Sequence, residues 1–202
     1  MTENLKWSKL YLVFVFVLLY VPIFYLIFFS FNEGGTMNEF TGFTWEHYAT
    51  VLQDERLIQI VIQTLILALL SSLISTIIGT LGAIGIHYIR SYKTQTMLLN
   101  ANNILLVSPD VIIGASFLIL FTIVGFQLGF VSVLLAHIAF SIPIVVLMVL
   151  PNLEEMNISM IKAAQDLGAN WGQILWHVIL PNIVPGILAG FFMAFTYSLD
   201  DF

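Results

Sequence analysis

Residues 152–185, NLEEMNISMIKAAQDLGANWGQILWHVILPNIVP, form the longest polar-interrupted stretch in an otherwise apolar chain. Leu153, Met156, Met160, Ala164 and Leu167 recur at three- and four-residue spacing, with Glu154, Glu155, Asn157, Lys162 and Asp166 between them. That pattern predicts a short amphipathic helix. Asn152 followed by Glu155 has the spacing of a capping box, and Gly168 is placed to end the helix in the left-handed conformation. Asn170 and Gln173 repeat the capping signal, and Trp171, Ile174, Leu175 and Val178 give a second apolar stripe that Pro181 is expected to stop. Two short helices around a glycine break, held between apolar segments, read as a docking knob at a membrane surface.

Outward from this knob the chain is greasy. Of its 202 residues 59% are hydrophobic and 9% charged, with a mean hydropathy of +0.99. Soluble domains carry roughly 25% charged residues, so the composition points to an all-α polytopic membrane protein, a single transmembrane domain over residues 1–202. The absence of Cys excludes disulfides, thiol catalysis and cysteine-ligated metal clusters. A net charge of −6 with six scattered Lys and Arg gives nucleic acid nothing to hold. His47 has no second His nearby in sequence and reads as a solvated or interfacial histidine.

Five apolar spans are expected. The first, residues 10–31, is too long for a signal-peptide core and carries Pro22 between Tyr20 and Tyr25. An acidic loop and a short surface helix over residues 45–52 follow. The second span runs to about Tyr88 with a small-residue face of Ala68, Ser72, Ser75, Gly79, Gly82 and Gly85, as close packing in lipid requires. The third occupies residues 97–126, the fourth 130–150 and the fifth 183–202. Five spans place Lys6, Lys9, Arg90, Lys93 and Lys162 on one side and Arg56 on the other. The positive-inside rule then predicts a cytoplasmic N terminus and a cytoplasmic loop over residues 152–181.

Asp110 is the residue singled out for chemistry. It lies between Leu105-Leu106-Val107 and Val111-Ile112-Ile113, near the middle of the third span. A carboxylate there is costly unless it faces a polar path or a cation. No Lys or Arg of this sequence is expected at that depth, which favours a cationic substrate or a partner's basic residue. The alternative is a protonated, hydrogen-bonded structural aspartate. His137, on the neighbouring span, is expected nearer the outer surface, and without an activated serine or metal cluster it makes no enzyme of the pair.

The knob resembles the coupling loop of permease subunits of binding-protein-dependent ABC importers. Lys162-Ala163-Ala164, Gly168 and Leu180-Pro181 keep the family register of Glu-Ala-Ala, Gly and Ile-x-Leu-Pro, with Lys in place of Glu and Val178 in place of Ile. The resemblance implies that Lys162, Ala163, Ala164, Gly168, Leu180 and Pro181 couple the chain to a cytoplasmic ATPase dimer. Ser108-Pro109-Asp110, Leu135-Ala136-His137, Ala163 to Gly168 and Ser198-Leu199-Asp200-Asp201 together are similar to the second permease of spermidine/putrescine importers. That likeness implies a companion permease, an extracytoplasmic polyamine-binding protein and a bacterial inner-membrane location. It also implies that ATP and Mg are bound by the partner ATPase, in keeping with the lack of a Gly-rich phosphate loop here. The family's sixth helix has no counterpart in the residues of this sequence. Asp110, Asp200 and Asp201 would be the carboxylates offered to a polyamine. Tyr20 and Tyr25 would give it aromatic faces, packing being the alternative for both. A permease for another small solute would keep the docking loop without needing the carboxylates.

Overall fold

The computed structural model describes residues 2–200, and its architecture is helical, with an antiparallel bridge between Asn32 and Phe43. Two compact units divide it, Met1–Val61 and Ile62–Phe202. In the first, α1 (Thr2–Phe29) is apolar on every side from Leu10 onward and keeps Pro22 inside it. Buried Asn32 then organises the following loop. Its Nδ2 donates to the carbonyls of Thr36 at 2.7 Å and Glu39 at 2.8 Å, and its Oδ1 accepts from the Thr41 N–H at 2.8 Å. Satisfying three groups with one amide is what lets so polar a side chain be buried. Phe31 stacks on Phe43 and meets Trp45 and Tyr48, leading into α2 (Glu46–Gln53). His47 Nε2 lies 2.8 Å from the Asn32 carbonyl, so this histidine braces the loop.

In the second unit the core lies between α3 (Glu55–His87), α6 (Phe130–Glu155) and α9 (Leu180–Asp200). Small residues set the spacing. A Cβ on Gly79 of α3 would come 2.6 Å from the Val145 side chain, and one on Gly190 of α9 would come 3.2 Å from it. Fully buried Val145 is thus clasped between two glycines. This close approach replaces the water-driven burial that a lipid-embedded bundle lacks. Of the small-residue face expected on α3, Ala68, Ser72, Ser75 and Gly79 are buried, Gly82 is half-buried and Gly85 is exposed.

The stretch expected as a continuous third span is broken. α4 (Tyr92–Val107) and α5 (Asp110–Val124) meet at 104° across Ser108 and Pro109. Pro109 has no N–H to give and forces the preceding residue out of the helical region, and Ser108 sits at ψ 137°. The described residues therefore hold four helices long and apolar enough to cross a membrane, and a fifth crossing if the bent pair counts as one.

The knob also departs from the expected boundaries. α6 continues through Pro151 and Asn152 to Glu155, so Asn152 and Glu155 form no capping box. Asn157 caps α7 (Ile158–Asp166) instead, its Oδ1 accepting from the Ser159 N–H at 2.9 Å. Because α7 starts five residues later than the stripe assumed, Ile161 is the buried residue while Met160 and Leu167 are exposed. Asn170 and Gln173 do make the reciprocal capping box of α8 (Trp171–Ile174). Pro181 does not end that helix. A π turn over Leu175–Ile179 passes the chain directly into α9 with Pro181 inside it. The wider i to i+5 loop reorganises the backbone bonding just ahead of the proline ring.

Candidate functional site

α5, α6 and the turn between them line an open-sided cavity of about 550 Å³, within the size range of small-molecule sites. Asp110, the first residue of α5, opens onto it, and so do Phe117, Phe121, His137 and Phe140. The sequence placed Asp110 at mid-span, but the break moves it to a helix N-terminus, where the backbone dipole favours a negative charge. The break thus offers the carboxylate partial compensation that mid-helix backbone would not. Among the described residues that line the cavity there is no Lys or Arg. A carboxylate framed by aromatic and aliphatic walls can bind a small organic cation.

His137 reaches the same cavity, which sequence position alone did not foretell. Its ring is held from behind, with Nδ1 2.7 Å from Ser198 Oγ, which lies 2.9 Å from Ser71 Oγ. Ser71 in turn donates to the Ala68 carbonyl at 3.1 Å. This polar chain ties α6 to α9 and α3. A serine hydroxyl beside a histidine has the outline of a nucleophile and its base. Ser198 and Ser71 are completely buried, however, so no substrate reaches them and the chain is a structural clasp.

At the other end of the unit, α7 and α8 build the knob. Gly168 lies at φ +82°, and the hydrogen bonds Gly168 N–H to Gln165 O (2.9 Å) and Ala169 N–H to Ala164 O (3.0 Å) complete a Schellman turn. Lys162 and Ala163 are exposed and Ala164 is half-buried. Leu180 packs partly into the core and Pro181 is exposed. The outward face adds Ile158, Met160 and Leu167, the last 88% exposed. Trp171 meets Tyr88, at the end of α3, edge-to-face with centroids 5.0 Å apart. Burial raises the Tyr88 pKa above its usual value of 10.0, and its hydroxyl is buried without a hydrogen-bond partner among the described residues.

The remaining sequence-derived residues are dispersed. Asp200, the last residue of α9, is exposed and does not line the cavity, and Asp201 lies outside the described residues. In the first unit, Tyr20 stacks on Phe16, and Tyr25 packs on Phe29 while its hydroxyl donates to the Met37 carbonyl. Phe117, Phe121 and Phe140 escaped the sequence reading. The signal for Phe117 and Phe121 was their spacing from Asp110, visible only once α5 is known to start there, while Phe140 on α6 had none.

Residues 75–202 match the family of binding-protein-dependent transport system inner membrane components. The chain is 35% identical over 187 residues to the spermidine/putrescine transport system permease protein PotC of Haemophilus influenzae, covering 93% of this chain and 72% of that one. It is likewise 35% identical to PotC of Escherichia coli K12, of which it covers 70%. The putrescine transport system permease protein PotI of Escherichia coli K12 is 30% identical over 201 residues, covering 96% of this chain and 72% of PotI.

Proposed function

The chain belongs to the family of binding-protein-dependent transport system inner membrane components, and from that premise we propose that it is the permease of an ATP-driven polyamine importer. In this reading it shares a translocation path with a companion permease, receives substrate from an extracytoplasmic binding protein and draws on a cytoplasmic ATPase dimer that binds ATP and Mg. The observation that carries the substrate class is the Asp110 carboxylate on a cavity with no lining Lys or Arg among the described residues. It suits an ammonium group, and it agrees with the spermidine and putrescine for which the similar permeases are named.

The bent pair α4–α5 counts as one crossing in this account, giving five spans in the bilayer of the inner membrane. Lys6, Lys9, Arg90, Lys93 and Lys162 then share the cytoplasmic side with the N terminus and the knob. Lys162, Ala163, Ala164 and Gly168 meet the ATPase, supported by the exposed apolar face of α7. Leu180 and Pro181 set the exit angle of the loop from beneath. Asp200 and Asp201 add negative charge toward the outer mouth, and Tyr20 and Tyr25 offer aromatic surface along the first helix.

Purified complex containing all four kinds of subunit, reconstituted in vesicles, tests the assignment. ATP-dependent accumulation of labelled spermidine or putrescine is expected. Accumulation of neither, with another solute class carried instead, would overturn it.

A further inference from the structure

Asp110, Gly114, Phe117 and Phe121 recur at intervals of four, three and four residues, so α5 presents them on one face. All four line the same cavity. Phe117 and Phe121 stack on each other with centroids 5.9 Å apart, and Phe140 faces the cavity from α6. Between the carboxylate and this aromatic pair Ile113 lines the cavity beside Gly114, which carries no side chain. A Cβ on Gly114 would meet nothing within 4 Å, and its backbone is not left-handed. No turn and no close helix approach calls for glycine there, yet glycine is among the poorest helix formers. What its hydrogen leaves is open room on the path from Asp110 to Phe117, about 10 Å along the axis.

We propose that this face of α5 is a two-station site for a linear diammonium chain. One ammonium pairs with the Asp110 carboxylate, the methylenes lie over Gly114, and the next ammonium rests against the rings of Phe117 and Phe121. The physics of the two stations differs. A carboxylate replaces lost hydration with a charge-assisted hydrogen bond, whereas an aromatic face attracts a partly desolvated cation through its quadrupole. A site with one full charge and one aromatic station binds a dication without trapping it, as a translocation path requires. The helix itself sets the spacing, so the site selects for charge separation along a flexible chain. This inference rests on the polyamine reading and adds the binding mode to it.

The test uses the complete transporter in vesicles, with labelled spermidine and putrescine below saturation and uptake corrected for assembled complex. Gly114→Leu adds a side chain that meets no other part of this chain and should lower uptake of both substrates, per assembled complex, at least tenfold. Phe117→Leu keeps an apolar side chain but removes the ring, and should lower uptake about three- to tenfold, while Phe117→Tyr should stay within twofold of wild type. Should Gly114→Leu fail to assemble, the contrast between Leu and Tyr at half-exposed Phe117 decides alone. Wild-type uptake by both Gly114→Leu and Phe117→Leu would overturn the two-station site and leave the polyamine assignment standing. A wild-type complex that moves no polyamine would overturn both.

Discussion

Replacing Gly168 isolates the backbone contribution to the knob. At φ +82° the residue occupies the left-handed region, and a Cβ built on it touches nothing within 4 Å. Within this chain any side chain there therefore acts through the backbone. Placing a non-glycine residue in this region costs roughly 1–2 kcal/mol, more for a β-branched side chain and less for Asn. The expected order of damage is Asn, then Ala, then Val. Relaxing the strain would break the two hydrogen bonds that Gly168 and Ala169 return to Gln165 and Ala164. A loss of 1–2 kcal/mol corresponds to about a 5- to 30-fold fall in the folded-back population. If the ATPase binds only that form, its apparent affinity falls by up to the same factor. Titrating labelled ATPase onto nanodiscs holding each variant and the companion permease measures this directly. Equal affinity for Gly168 and Gly168→Val, with equal transport, would refute the argument that the turn presents the docking face.

Three further outcomes follow from the packing. Gly186→Val should lower stability by about 1–3 kcal/mol through overpacking, because a Cβ there would lie 2.6 Å from Asn152 Nδ2 and 2.8 Å from the Met148 carbonyl; Gly82→Ala, with its nearest contact at 3.8 Å, is the neutral control in the same Tm measurement. Ser198→Ala removes the hydroxyl between His137 and Ser71 and should cost about 0.6–2 kcal/mol in thermal unfolding, as interhelical polar contacts in lipid do. Tyr88→Phe removes a buried hydroxyl without a partner and should hold or raise stability at neutral pH. Because burial disfavours the ionised phenol and raises the Tyr88 pKa, stability is level with respect to this group below pH 10.0 and falls as pH climbs from there toward the raised folded value. Above about pH 10 stability should therefore fall more steeply for wild type than for the phenylalanine variant.

Much of this organisation was legible before the structure, and the exceptions share a cause. Apolar length identified the four helices long and apolar enough to cross a membrane, since a bilayer demands long runs of satisfied backbone whatever the tertiary detail. The left-handed Gly168 and the Asn170–Gln173 box were legible because each is a local backbone requirement. Pro109 and Pro181 were not read correctly because a proline's effect depends on how neighbouring backbone adjusts. At Pro109 the chain turns by 104°, while at Pro181 a π turn lets the helix continue. The stripe of α7 was misphased for a related reason. The hydrophobic spacing also fits a helix counted from Leu153, and only the break at Met156 and Asn157 fixes the phase on Ile161. The cavity was half legible: Asp110 stood out as a lone charge, whereas the aromatic wall needed the true start of α5.

The most direct test of a cation path through this chain is polyamine flux through Asp110→Asn. Asparagine keeps the volume and a hydrogen-bonding group at the start of α5 and removes the charge that faces the cavity. Assembly with the ATPase should persist, because the knob lies on other elements, and any loss of helix-end stabilisation is about 0.3–1 kcal/mol. Labelled-spermidine and labelled-putrescine uptake, below saturation and corrected for assembled complex, should fall roughly tenfold or more, equivalent to about 1.4 kcal/mol. Asp110→Glu, which retains the charge with altered reach, should fall between the two. Equal uptake by wild type and Asp110→Asn would contradict the account and return Asp110 to a structural role.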